Sequence, residues 1–130
     1  MISLTMALVL QVSGGGDYIQ EANALGGDIF LAGACSGMEI ISADRDEFMN
    51  LARELELRAV ADGVSVDQID EAFTAGVAER NQAFLALNDQ IMEIEGTDRM
   101  ARGLAIFRVE CAPLFVKYAS IVRPGARWDQ

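Results

Sequence analysis

Between Ser65 and Gly96 the apolar positions Ile69, Phe73, Val77, Phe84, Leu87, Ile91 and Ile94, with Arg80 among them, recur in steps of three and four. That spacing lays side chains along one face of an α-helix, and it fixes a long helix as the element around which the rest must pack. Its start is written in capping chemistry. Ser65 is placed to accept from the amide three residues on and Gln68 to answer it, Val64 and Ile69 can close a hydrophobic staple, and Asp67, Asp70 and Glu71 suit the positive end of the helix dipole. Gly96 can end the helix. Gly76 reads as a weak point inside it, since an interior glycine costs about 1 kcal/mol relative to alanine.

Two further helices follow from the same signals. Ser42 is expected to cap a helix from Ala43 to about Asp62, with Phe48, Leu51, Leu55 and Ala59 inward and Gly63 as a left-handed stop. The short connection makes it an antiparallel neighbour of the long helix. Thr97 is expected to cap a last helix whose stripe is Met100, Leu104, Phe107, Cys111, Leu114, Tyr118 and Ile121. Pro113 falls within that helix and should kink or restart it near Val109 to Ala112. Asp17 to Ile41, rich in Ala and Gly, reads as one or two helices packed closely through Gly33 and Gly37, while Gly14-Gly15-Gly16 and Gly26-Gly27 read as linkers or turns. Strand alternation is nearly absent. The expected fold is all-α, an irregular bundle of about four helices.

Cys35 and Cys111 are the only cysteines, 76 positions apart, and each lies on the apolar stripe of a different helix. A disulfide between them would tie the first helical segment to the last and stabilise by roughly 4 kcal/mol through closure of a long loop. Bonded cysteines need Cα atoms within about 7 Å. The other reading is two buried free thiols packing as small apolar side chains. The choice turns on compartment. Residues 1–12, MISLTMALVLQV, form an uncharged apolar run that breaks at Ser13 and the following glycines, the length of a signal-peptide core without its basic flank. Residues 1–16 are therefore read as a signal peptide or an apolar leader, 17–123 as a single helical domain, and 124–130 as a C-terminal tail. Leu31-Ala32-Gly33-Ala34-Cys35 looks like a lipoprotein processing box, but the acidic Asp17, Glu21 and Asp28 stand where a basic flank and an apolar core belong.

An apolar leader, a cysteine ahead of Ile41-Ser42, the run Gly63-Val64-Ser65-Val66-Asp67-Gln68-Ile69-Asp70 and a late second cysteine together resemble small exported two-cysteine helical proteins of bacteria, known only as domains of unknown function. The likeness covers residues 28–112. It implies a helical fold and a periplasmic or secreted location, and no activity.

Charge narrows the partners. The formal net charge is −10; residues 1–95 carry 17 acidic side chains against 4 arginines, whereas residues 96–130 carry 3 against 6 basic ones. Such an acidic body repels phosphate backbones, so neither nucleic acid nor an anionic membrane surface is an expected target. The basic segment is expected to pack on the acidic helices and neutralise them locally. No uncharged stretch approaches the ~20 apolar residues of a membrane span.

Chemistry is sparse. The chain has no histidine, two separated cysteines cannot make a zinc site, and the glycine clusters lack the lysine and strand of a phosphate loop. Neither cofactor, metal nor catalytic residue is expected, and the chain does not read as an enzyme. Four side chains are candidates for a partner-facing surface. Arg80 interrupts the longest stripe, either as a stem lying on apolar surface or as an anchor for a carboxylate. Arg99 and Arg102 occupy the first turn of the last helix, where the dipole disfavours cations, so Glu93 or Glu95 is expected to pair with them. Trp128, the only tryptophan, stands in a tail that by default frays, with docking to this chain or to a partner as the alternative. The functional expectation is a small exported, non-catalytic interaction module or accessory subunit that engages another protein. A cytoplasmic binding or regulatory protein with reduced cysteines is the other reading.

Overall fold

A computed structural model describes the backbone of residues 2–130 and the side chains of residues 16–130; the readings placed on the side chains of 1–15, the leader among them, lie outside the described residues. The elements in order are α1 (Ile2–Gly37), β1 (Ile41–Ala43), α2 (Arg45–Ala61), α3 (Val66–Met92), α4 (Arg99–Cys111), α5 (Pro113–Lys117) and β2 (Val122–Pro124). The fold is mostly helical, with four long helices as expected and little strand. Of these described residues, no helix is long and apolar enough to cross a membrane.

The start of α3 matches its sequence signal in detail. The Ser65 hydroxyl accepts from the Gln68 amide at 3.2 Å, and the Gln68 side chain accepts from the Ser65 amide at 3.3 Å. Val64 and Ile69 are buried in one cluster, closing the staple. Gly63, at φ +91°, takes the left-handed turn that stops α2.

Other boundaries differ. The cap of α2 is Asp44 rather than Ser42, with the Asp44 carboxylate accepting from the Glu47 amide at 3.2 Å. Ser42 instead lies in β1, in register with Arg123 of β2, in a two-stranded antiparallel sheet that periodicity did not announce. Three-residue strands are too short to show an alternation. Asp98, not Thr97, precedes α4, and it makes no side-chain cap bond because its own backbone is already helical. Pro113 restarts the chain as the first residue of α5, where its missing donor costs nothing. Ser120 and Ile121 lie in the turn beyond α5 rather than in a continuing helix.

The largest departure concerns glycine. Gly14 to Gly16, Gly26 and Gly27 are not turns, because α1 runs unbroken through them. Gly33 and Gly37 face open space, so they do not mediate close packing. The contact lies one to three turns earlier. A Cβ on Gly26 would collide with the Phe73 carbonyl, and one on Gly76 with the Asn23 carbonyl. α1 and α3 therefore run side by side in backbone contact, and Gly76 is the site of closest approach rather than a defect. The Asn23 amide also donates to the Ala72 carbonyl at 3.2 Å. α3 has α1, not α2, as its principal neighbour.

Two apolar clusters fill the interior. One, at the C-terminal end of α1, gathers Leu31, Cys35, Ile40, Phe48, Phe107 and Leu114 among others; the second gathers Leu25, Leu55, Ala59 and Ile69 around the α2–α3 turn. Within the first, the Cys35 and Cys111 sulfurs stand at bonding distance with Cα atoms 6.1 Å apart, and neither residue has exposed surface. α1 is thus tied to α4. The tail does not stand away from the body: the Gly125 amide donates to the Ile40 carbonyl at 2.9 Å and the Arg127 amide to the Glu39 carbonyl at 2.8 Å.

Candidate functional site

Where α4 leaves the α3 turn, the surface opens into a groove of about 830 Å³ lined by Met38, Ile91, Thr97, Arg99, Met100, Ala101, Gly103, Leu104, Phe107, Arg127 and Gln130. The local sequence explains the concavity. Gly103 presents no side chain to Ile91, and a Cβ there would come within 2.8 Å of the Ile91 Cγ2. α4 therefore sits close to the end of α3, and Met38 and Arg127 complete the lining. Ile91 and Phe107 are buried at the floor, and Phe84 stacks on Phe107 with ring centroids 5.0 Å apart. Met100 is 80% exposed on the rim.

The two arginines singled out in the first turn of α4 do not pair with Glu93 or Glu95. The Arg99 Nε donates instead to the Ile94 carbonyl at 2.7 Å, just past the C-terminus of α3. A cation at the start of one helix is thus held by a backbone carbonyl of the connection that follows the helix before it. Arg102 is exposed, and among the described residues neither arginine has a carboxylate within salt-bridge range. The basic C-terminal segment does pack on acidic positions, but through Lys117 to Asp28 and Arg127 to Glu39.

Trp128 is half-buried on its own chain. Its ring meets Phe115 edge-on at 4.6 Å and its carbonyl accepts from the Arg108 guanidinium at 3.1 Å. The expectation of a frayed tail gives way because the β1–β2 pairing carries residues 122–124 back to the body. Arg80 is a half-exposed stem whose head reaches Asp28 at 3.8 Å and Glu110 at 4.0 Å, so its carboxylate partners come from this chain.

Asp28 itself was not singled out in the sequence. It is 7% exposed, on the inner face of α1 between Leu25 and Leu31, and receives the Tyr118 hydroxyl at 2.5 Å and the Lys117 ammonium at 2.7 Å. Burial, followed by the hydrogen bond to Asp28 and its charge, pushes the Tyr118 hydroxyl well above its ordinary range. A single acid inside an otherwise apolar helical stripe was the available signal. Both close donors meet Oδ2 while Oδ1 faces Arg80 at 3.8 Å, and the cluster reads as a tie between α1, α3 and α5. Among the described residues no group of three or more cysteine or acidic side chains gathers as a metal-holding cluster. No protein-family model, curated protein or solved structure matches the chain.

Proposed function

We propose that this protein is an exported, non-catalytic interaction module or accessory subunit that engages another protein through the groove between α3, α4 and the C-terminal segment. The observation that carries the reading is the groove itself, an open apolar floor with a basic rim and an exposed methionine. Exposed apolar surface rimmed by polar groups is characteristic of protein docking sites. Export is supported by two buried sulfurs at bonding distance, since disulfides persist in oxidising compartments, and by the resemblance to exported two-cysteine helical proteins.

The test is photo-crosslinking from Met100, replaced by a benzophenone amino acid in cells that make the protein. Val116, 88% exposed and outside the groove, is the control position. Position 100 should yield a discrete covalent adduct with another protein and position 116 should not. Equal labelling at both, or none at 100, would defeat the docking reading. Thiol alkylation of unreduced native material checks the compartment: both cysteines should resist, and full modification after unfolding without reductant would favour a cytoplasmic protein.

A further inference from the structure

We infer that the groove receives an amphipathic segment of the partner protein, its apolar side chains on the floor and its carboxylates against Arg99 and Arg102. This rests on the docking reading above and adds the chemistry of the occupant. Every charged side chain lining the groove is an arginine, in a chain where acidic residues outnumber basic ones 20 to 10. Arg127 is already engaged by Glu39 at 3.4 Å. Arg99 uses only its Nε on the Ile94 carbonyl, which leaves both terminal nitrogens without a carboxylate partner, and Arg102, exposed one helical turn further on beside the groove rather than in its lining, has no carboxylate partner either. A guanidinium fork with open terminal nitrogens is suited to two-point recognition of a carboxylate.

Charge also sorts the occupants. A second copy docking through the same face would set Arg99, Arg102 and Arg127 against their counterparts. An anionic lipid surface or a polyphosphate would face a body whose first 95 residues carry 17 acids against 4 arginines. A short acidic and apolar protein segment confined to the groove meets its arginines without spreading over the acidic body as an extended surface or polymer would, and a groove with a buried floor matches the way an amphipathic helix is held by apolar anchors.

NMR titration of the full-length, disulfide-intact chain tests this, read from the backbone amides of Gly103, Leu104 and Phe107. The probes are three synthetic amphipathic peptides of about 16 residues with identical Leu and Phe anchors and polar faces of Glu, Gln or Lys. The Glu peptide should bind about tenfold tighter than the Lys peptide, with the preference shrinking as salt rises. Arg99→Gln with Arg102→Gln should abolish the preference while the Gln peptide binds as before, which also shows that the variant groove is intact. Equal affinities, or a preference that survives the double variant, overturn this inference and leave the docking surface standing. If none of the peptides moves those amides, the docking surface falls as well. Anionic vesicles that move them more than the Glu peptide, or shifts that depend on protein concentration alone, overturn the inference in favour of a membrane or a second copy.

Discussion

Asp28 shows how one residue can organise three elements. A carboxylate at this depth needs compensating partners, and it takes hydrogen-bond donors from Tyr118 and Lys117 at the far end of the chain, with the Arg80 guanidinium of α3 at 3.8 Å adding opposite charge. Tyr118→Phe should lower stability by about 1 to 2 kcal/mol, because it removes one of those donors and leaves the aromatic packing on Phe48 in place. The pH dependence has a definite sign. The pKa of the Tyr118 hydroxyl is raised above its ordinary value of 10.0 in the folded protein, so its contribution is complete below that pH and is lost progressively above it, as pH climbs through the raised folded value. A single proton limits the slope to about 1.4 kcal/mol per pH unit, and partial exposure reduces the total contribution further. Denaturant midpoints measured from pH 8 to 12 should fall more steeply for the wild type than for Tyr118→Phe; parallel profiles would remove the Tyr118 contribution.

At the scale of elements, a pair of glycine substitutions separates propensity from packing. Gly33→Ala lies in α1 with open space around it, so it should stabilise by about 0.5 to 1 kcal/mol through helix propensity. Gly76→Ala gains the same propensity but drives a methyl into the Asn23 carbonyl, and should destabilise by about 1 to 3 kcal/mol as the helices part. Thermal melts of both variants check this, and a stabilised Gly76→Ala would show that α1 and α3 are not in backbone contact. Ser65→Ala should lower stability by about 1 kcal/mol, since it deletes a formed capping box, and by more than Ser120→Ala in the turn after α5. The capping box was legible because it is local. Both partners lie within one turn, and each answers the other, so the signal is complete within the local sequence. Ser42 was misread for the complementary reason: it offered a capping hydroxyl but no answering Glu or Gln three residues on, where Arg45 stands, and pairing with Arg123, far away in the chain, claimed its backbone for a strand.

For the whole molecule, the bond between Cys35 and Cys111 spans a separation of 76 residues and joins the helix that starts the chain to the one that nears its end. Its reduction, or Cys35→Ala with Cys111→Ala, should lower stability by roughly 4 kcal/mol on loop-closure grounds, less any structure the reduced unfolded chain retains. Urea unfolding with and without reductant measures it, and coincident curves would show that the covalent tie contributes nothing. By itself the sequence determined the helical class, the start of α3, the restart at Pro113 and the burial of both cysteines on apolar stripes, because each depends on periodicity or on neighbours within a turn. Only the tertiary structure decided that Cys35 meets Cys111, which glycines let helices touch, that Arg99 answers a carbonyl rather than a carboxylate, that Trp128 folds back, and that Asp28 is the common ion-pair partner of α3 and α5 side chains. Each of these is a contact between distant positions. A side chain's own neighbourhood says what it can bond to, while the packing of the helices sets which candidate arrives.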